Sequence, residues 1–419
     1  MARSPLAILF ITVFLDLLGF GLILPQLPYY AVRFGAGALA VGGLMAAYSL
    51  AQMVASPLWG GVSDRVGRRP VLIGSLVGSA ASTALLGAVV DPAWWARIGG
   101  GLPDTLLGAS TALLALFAAR VFAGTATATI GVAQAYIADS TTPETRAKGM
   151  GIIGAAFGLG FVFGPALGGL LAPFGPGVPA LVAAGLALAN AAFAWVRLPE
   201  SLPAARRGVA VARGFSVARL RQAAIIPGMA PLMAMYFLSI FAFATMEATF
   251  PLLTRDAFGF GEVQNGWTFA YIGVLVVIMQ GGLVGRLAKR FGERRLVVAG
   301  GALLAVGLAG LPLSPSVAAM AAVLVPLCAG SGLTNPSLTA LISLTAAQDA
   351  QGETLGTAQS LASLGRVLGP LWGGFAFGAL GATGSYAVAA GVMLTVAGMM
   401  WATSPRPEDG QPASSGDAG

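Results

Sequence analysis

Apolar runs of about 20 residues follow one another along almost the whole chain, and few folds can accommodate that. Only 9% of the 419 residues are charged and 57% are hydrophobic, against roughly 25% charged in a soluble domain. With a mean hydropathy of +0.83, most of the length is unsuited to a water-facing surface. Each run can cross a hydrocarbon layer of about 30 Å as a helix. The expected fold class is an all-α membrane protein. A β-barrel is disfavoured, because the runs are continuous and lack the alternating polarity of barrel strands.

Twelve spans can be read, near 5–30, 38–62, 70–90, 106–138, 147–172, 177–198, 227–253, 262–287, 293–313, 316–346, 352–381 and 383–404. They predict an N-terminal six-helix bundle over 1–198 and a C-terminal one over 227–404. A basic linker, 199–226, joins them and holds Arg206, Arg207, Arg213, Arg219 and Arg221. The tail 405–419, dominated by Pro, Glu, Asp, Gly and Ser, is expected to be disordered. No cleavable signal peptide is expected, since residues 1–5 hold only Arg3 and the next run lacks a small-residue cleavage site. If the N-terminus is cytoplasmic, 18 of the 23 Lys and Arg fall inside. Arg33, Arg97 and Arg255 fall outside, while Arg120 and Arg366 lie within spans. That asymmetry predicts both termini in the cytoplasm and an inner (plasma) membrane location.

Composition also excludes chemistry. A single Cys328 and no His leave zinc, haem and Cys/His nucleophiles almost without ligands, so no metal or cofactor is expected. The net charge of +7 is the excess of cytoplasmic-loop cations and does not call for a nucleic acid partner. The expected partners are the lipid bilayer, a small-molecule substrate and protons, with the chain acting as a monomer.

The sequence repeats itself. Residues 60–69 read Gly-Gly-Val-Ser-Asp-Arg-Val-Gly-Arg-Arg, and a degenerate copy occupies 285–295. Gly60, Arg65, Gly67 and Arg69 recur as Gly285, Arg290, Gly292 and Arg294, each 225 residues later. In the fifth span Gly164-Pro165-Ala-Leu-Gly168-Gly recurs in the eleventh as Gly369-Pro370-Leu-Trp-Gly-Gly, 205 residues on. Two like-oriented six-helix halves imply a pseudo-two-fold axis along the membrane normal, with substrate sites between them near mid-membrane.

These motifs resemble the major facilitator superfamily, specifically the twelve-helix drug:proton antiporter group that includes the tetracycline efflux proteins. Residues 60–69 look like that family's loop motif between helices two and three. Arg120-Val-Phe-Ala-Gly124 looks like its fourth-helix Arg motif without the usual Gln, 154–169 like its glycine-rich fifth-helix motif, and 15–28 like its first-helix Asp-to-Pro stretch. The resemblance implies a cytoplasmic gate at the loop motif, closed against the C-terminal bundle in the outward-open state, and a hinge or leak-preventing role for the Gly-Pro runs. The tetracycline exporters are expected to have an acid in the third helix and a His in the eighth. Neither is present here, which puts tetracycline in doubt as the substrate.

Charged groups inside a membrane cost from about 2.5 kcal/mol to much more, so each is a functional candidate. Asp16, Arg120 and Arg366 fall near mid-span and Glu247 nearer the outer face. Glu247 shares a helical face with Phe243, Ile240 and Tyr236, Arg120 with Thr127, Gly131 and Gln134, and Arg366 with Gln359, Ser363 and Pro370. Ser331, Asn335 and Thr339 form another polar stripe. The candidate cavity is Gln134, Tyr236, Phe243, Trp267, Tyr271, Asn335 and Gln359. One reading has Asp16 or Glu247 exchanging the coupling proton, with Arg120 as switchable counter-charge. The other has Asp16 and Arg120 as a static ion pair and Glu247 facing outer water.

In the loop motif, Gly60, Asp64, Arg65, Gly67, Arg68 and Arg69, with Asp139 beside them, read either as a topogenic turn or as the gate. Gly67 suits a tight turn, and Asp64 suits a neighbouring helix N-terminus. Lys289 stands where Asp64 would repeat, which a purely structural turn does not require. Gly164, Pro165, Gly168, Gly369 and Pro370 read as close helix packing or as bends. Gly149-Met-Gly151-Ile-Ile-Gly154 matches a dinucleotide fingerprint but follows no strand and is rejected.

The expected function is proton-coupled efflux of a small amphipathic or drug-like compound by alternating access. A symporter or uniporter importing a metabolite is the alternative. An intramembrane enzyme has no nucleophile–base set to support it. Charges on cavity-facing stripes argue against a receptor or scaffold.

Overall fold

The computed structural model describes residues 5–91, 109–203, 207–208, 220–222, 225–346 and 351–403. The tail 405–419, most of the linker 199–226, Arg3, Arg97, and the side chains of Arg146 and Lys148 lie outside the described residues. Everything described is helix or turn. The helices are α1 (Pro5–Ile23), α2 (Leu27–Arg33), α3 (Ala38–Val66), α4 (Arg68–Val90), α5 (Ala109–Ala126), α6 (Thr129–Ser140) and α7 (Pro143–Leu171). There follow α8 (Val178–Arg197), α9 (Met229–Phe258), α10 (Glu262–Ile278), α11 (Val284–Phe291), α12 (Glu293–Gly310), α13 (Val317–Thr345) and α14 (Gln351–Ala402).

Among the described residues, eleven continuous helical stretches are long and apolar enough to cross a membrane. The breaks between labels have local causes. Pro25 and Pro28 separate α1 from α2 by a short 3-10 turn, since proline removes a backbone donor. Two adjacent glycines sit in the π turn Met279–Leu283 between α10 and α11. The 52 residues of α14 would make a rod of about 78 Å, far beyond a bilayer. At Gly381, with φ 70° and ψ 179°, two helices meet in a kink. That break falls where the sequence places the gap between its eleventh and twelfth spans.

The duplicated basic turn is a one-residue hinge in both copies. Gly67 (φ 111°) separates α3 from α4, and Gly292 (φ 79°) separates α11 from α12. Only glycine enters that region freely. Both helices therefore run further into the turn than the sequence spans anticipate, to Val66 and Phe291 instead of 62 and 287.

The Gly-Pro runs explain how the chain halves meet. Gly160, Gly164 and Gly168 of α7 lie on the α1 backbone at Leu17, Gly21 and Leu22, while Gly169 meets Gly266 of α10. A Cβ on Gly266 would fall 2.6 Å from the Gly169 Cα. In the second copy Gly369 and Gly373 of α14 lie on α9 at Phe241 and Thr245, and a Cβ on Gly42 of α3 would collide with the Pro370 carbonyl. Gly374 likewise meets Ala38 of α3. Each run thus has one face against its own half and another against the opposite half. In lipid, where apolar surface gives no drive to associate, such backbone proximity is what binds helices.

These seams close one end of the molecule, the end of the 33–38 and 258–262 turns. The Tyr29 hydroxyl donates to the Phe260 carbonyl at 2.9 Å and accepts from Asn265, whose side-chain oxygen accepts from Thr254 at 3.0 Å. Arg33 and Glu262 pair at 3.4 Å. The apolar clusters that include both halves are here too, joining Leu252 to Leu22 and Leu44, and Ala248 to Leu24 and Met45. At the opposite end the first-half cluster around Leu72 and Tyr136 holds only first-half residues. Among the described residues, every hydrogen bond and ion pair between the halves lies at the Tyr29 end.

Overpacking the seam should open it. Gly42→Val with Gly374→Val should cost about 1–3 kcal/mol in the closed arrangement. Spin labels on Leu39→Cys and Leu380→Cys, both on exposed sites while Cys328 is fully buried, should then show a longer and broader distance distribution. An unchanged distribution would count against the seam.

Candidate functional site

Beneath the closed end, three of the four intramembrane charges gather around a residue absent from the sequence-derived set, Tyr48 of α3, and the fourth, Glu247, faces one of them, Arg366. The Arg120 guanidinium lies over its ring, 4.3 Å from the centroid. Asp16 and Arg366 are charged neighbours of the same phenol, so α1, α3, α5 and α14 converge there. The Tyr48 hydroxyl accepts from Gln52 at 3.3 Å. The spacing of Tyr48 and Gln52, one helical turn apart on an uncharged stretch of the span, was the signal available in the sequence.

The first-half geometry depends on an interruption in the predicted fourth span. α5 ends at Ala126 and α6 starts at Thr129. The freed Ala128 amide donates to the Ser75 hydroxyl of α4 at 2.8 Å, and Ser75 and Thr129 share a hydrogen bond of 3.2 Å. Two corrections follow. The helical phase does not continue past Ala126, so Gln134 is not carried onto Arg120's face and stands exposed on α6. Nor do Asp16 and Arg120 form an ion pair among the described residues: the Arg120 guanidinium lies over the Tyr48 ring.

Arg120 is only 5% exposed, and its Nε has no hydrogen-bond partner. Asp16, Glu247 and Arg366 lie deep in the protein yet stay half-buried, the pattern of groups lining an internal space. Glu247 faces Arg366 without an ion pair, and Arg366 donates to the Ser363 hydroxyl at 3.1 Å.

Tyr236, Ile240, Phe243 and Glu247 share one half-buried face of α9. The Tyr236 hydroxyl donates to Gln359 at 3.3 Å, and Phe243 packs on the second-half core. Asn335 accepts from Ser239 at 2.9 Å and faces Ser331, tying α13 to α9. Trp267 and Tyr271 are not in this group. They form an exposed apolar stripe with Val274 and Ile278, and Tyr271 reaches back to the Ala321 carbonyl of α13. Such a stripe suits lipid. In the first half, the rings of Tyr48, Phe20, Phe161 and Phe157 follow one another at 5.5, 6.2 and 5.1 Å, an aromatic wall from α3 through α1 to α7.

At the far end, the basic turn is built around Arg68, which is buried. It pairs with Asp64 and, at 3.0 Å, with Asp139, and its guanidinium also donates to the Ser63 hydroxyl. The carboxylate at the α4 N-terminus is Glu200, not Asp64. Glu200 accepts from the amides of Arg68 at 2.9 Å and Arg69 at 3.2 Å, and from those of Ser201 and Leu202 at 3.0 Å. A Cβ on Gly67 would collide with it, a second reason for glycine there. Arg69 donates to the Trp195 carbonyl and lies 5.7 Å from the Trp195 ring. Arg65 is exposed, and Gly60 accepts through its carbonyl from Ser63. The described contacts of this cluster lie within the first half and the start of the linker, where Glu200 caps α4 and the Gly208 amide donates to the Asp64 carbonyl at 3.2 Å.

The family model described as Major Facilitator Superfamily matches residues 9–370 and again 281–419. The tetracycline resistance protein, class C, of Escherichia coli is 33% identical over 373 residues, covering 88% of this chain and 89% of that protein. The major facilitator superfamily domain-containing protein 10 of Bos taurus is 30% identical over 449 residues, covering 95% and 92%. Among solved structures, the human organic anion transporter MFSD10 (TETRAN) superposes with a TM-score of 0.70 at 26% identity, covering 95% of this chain and all of that one.

The Glu200 cap sets an expected outcome at the turn. Glu200→Ala leaves four amides without their acceptor and should lower stability by about 1–3 kcal/mol. Glu200→Gln, which keeps an acceptor oxygen, should cost less. Thermal unfolding in detergent reads both, and an unaltered melting point for Glu200→Ala would show the cap to be idle.

Proposed function

The chain belongs to the Major Facilitator Superfamily, a family of transporters and not of enzymes, and from that premise we propose that it is a proton-coupled exporter of a small amphipathic compound. The observation that carries this reading is the meeting of Asp16, Arg120 and Arg366 around Tyr48, with Glu247 facing Arg366, none of them in an ion pair among the described residues. Ionisable groups are expensive in a bilayer and are retained where they move ions or substrate. Asp16 and Glu247 are the proton carriers in this proposal, and Arg120 is the counter-charge whose partner changes with protonation. The aromatic wall from Tyr48 to Phe157 and the stripe of Tyr236 and Phe243 give an amphipathic compound apolar surface to rest on. Tetracycline efflux relatives favour export; the missing α4 acid and absent His favour a compound other than tetracycline.

The architecture we propose is twelve helices in two six-helix bundles, 1–198 and 227–404, rocking about the central space. The 205-residue and 225-residue repeats support it, as does the matching use of the two Gly-Pro runs. With the basic turns on the cytoplasmic side of the plasma membrane, the Tyr29 end faces outward. The arrangement is then sealed outside and open inside, as an exporter stands when it loads. The Arg68–Asp64–Asp139 cluster is the part of the inner gate that the first half contributes. The protein works as a monomer in this reading.

Inside-out membrane vesicles from an efflux-deficient host test it. For an exporter, an imposed proton gradient, acid inside, should drive accumulation of a compound chosen from a resistance panel. Asp16→Asn and Glu247→Gln should each be assayed, and loss of at least tenfold in gradient-driven uptake is expected in one or both. Full activity in both, or accumulation only with the gradient reversed, would sink the proposal in favour of import.

A further inference from the structure

Gln26 ends the short turn between α1 and α2 and is wholly buried. Its side-chain nitrogen and oxygen both lack a hydrogen-bond partner, and among the described residues no other buried side-chain amide is unpartnered at both ends. One helical turn on, the Tyr30 hydroxyl is also buried and unpartnered. The other polar pair on the same segment is the opposite case. Tyr29 and Arg33 bond across the seam to Phe260, Asn265 and Glu262. Burying an amide or a hydroxyl without a partner costs about as much as a bond would contribute, or more, and here two such groups fall within one turn of helix.

Both lie where the halves meet. The turn Leu24–Gln26 packs against α7 of its own half and against α10 of the other. A Cβ on Gly168 of α7 would stand 3.3 Å from the Gln26 nitrogen, and the next residue, Gly169, is the one that touches Gly266 of α10. Tyr30 belongs to the apolar cluster that joins Leu22 and Leu44 to Leu252 of α9. When α9 and α10 move away from the first half, this segment is uncovered, and water can then bond both groups.

We propose that Gln26 and Tyr30 are a counterweight to the seam, unsatisfied while the Tyr29 end is sealed and hydrated when it opens. This rests on the alternating-access part of the reading above and not on which acid carries the proton. Glycine packing and the bonds of Tyr29 and Arg33 favour the sealed arrangement. The two unpartnered groups oppose it, which brings the sealed and open arrangements closer in free energy.

The sign of the effect separates this role from a structural one. A polar side chain kept for its bonds loosens a structure when an apolar one of like shape replaces it. A polar side chain with no bonds to lose tightens it. Tyr29 and Tyr30, adjacent in the chain, should therefore answer the same change to Phe in opposite directions.

The test reads how often the seam parts. Leu252 is 4% exposed and clusters with Leu22 and Leu44 of the opposite half, so in Leu252→Cys a water-soluble maleimide reaches the new thiol when that end opens. Cys328, fully buried in the second-half core, is the internal control, and peptide mass spectrometry reads the two sites separately. Labelling rates are measured on the purified full chain in detergent for Leu252→Cys alone and combined with Gln26→Met, Tyr30→Phe or Tyr29→Phe. Gln26→Met and Tyr30→Phe should each slow labelling at position 252 about tenfold. Tyr29→Phe, which loses the hydroxyl that bonds Phe260 and Asn265, should quicken it severalfold. The Cys328 rate should stay as it is.

An unchanged or faster rate in Gln26→Met or in Tyr30→Phe overturns the proposal. So does a common direction for the two tyrosines, or a parallel slowing at Cys328, which would assign the effect to overall stability. If Gln26→Met does not fold, Tyr30→Phe decides, since it removes a single oxygen. A rate at position 252 no faster than that of Cys328 means that the seam does not part, and overturns the counterweight together with alternating access. Vesicle uptake separates the two readings otherwise. Slowed labelling without gradient-driven uptake keeps the counterweight and removes the proton-coupled exporter. Uptake with unmoved labelling keeps the exporter and removes the counterweight.

Discussion

Contact between helix backbones, with no side chain between them, holds the two parts of this chain together. Gly42 against Pro370, Gly374 against Ala38 and Gly169 against Gly266 bring four helices closer than any larger residue would permit. In a bilayer this matters more than in water, because lipid tails solvate a leucine as well as a neighbouring helix does. The contact also sets the geometry below it. Tyr48 follows Gly42 by six residues on α3, about 9 Å, and Arg366 precedes Pro370 by four on α14, about 6 Å. The seam therefore delivers a first-half phenol and a second-half guanidinium to the same depth, just on its open side.

The two basic turns show how one motif serves unlike purposes. Both pivot on a positive-φ glycine, 225 residues apart. In the first copy Arg68 is buried between Asp64 and Asp139, and Glu200 closes the helix end. In the second, Lys289 and Glu293 occupy the places of Asp64 and Arg68, so the charges are exchanged, and Arg286, Lys289, Arg290, Arg294 and Arg295 are exposed. The backbone requirement has been kept through duplication while the electrostatics have diverged.

Features that depend on one helix at a time were legible in the sequence. Apolar length locates the spans, glycine locates the turns, and recurrence of Gly-Pro-x-x-Gly-Gly relates the fifth and eleventh spans. The break at Ala128 was not legible, because it is stabilised by Ser75 from another helix. It in turn invalidated the face assigned to Gln134. Glu200 was overlooked because its role depends on where the chain returns after α8. Trp267 and Tyr271 were assigned to the cavity by residue type, and helical phase places them on an exposed apolar face instead. The sequence puts both Asp16 and Arg120 near mid-span, yet position along a span does not determine pairing: Arg120 lies over the Tyr48 ring of a third helix.

The nature of the seam bears on how readily it can part. Among the described residues, few directional bonds cross it: those of Tyr29 with Phe260 and Asn265, and the Arg33–Glu262 pair. The rest is matched surface, which can separate without leaving buried polar groups unsatisfied, the costliest outcome in hydrocarbon. Directional bonding is concentrated elsewhere, within each half: Asn335 to Ser239, Asn190 to the Thr12 carbonyl, Glu200 to four amides. Bonds inside the halves keep each rigid, and shape between them keeps the joint reversible. In the proposed cycle, a charge change on Asp16 or Glu247 then has only to outweigh a packing surface and a few polar contacts at one end.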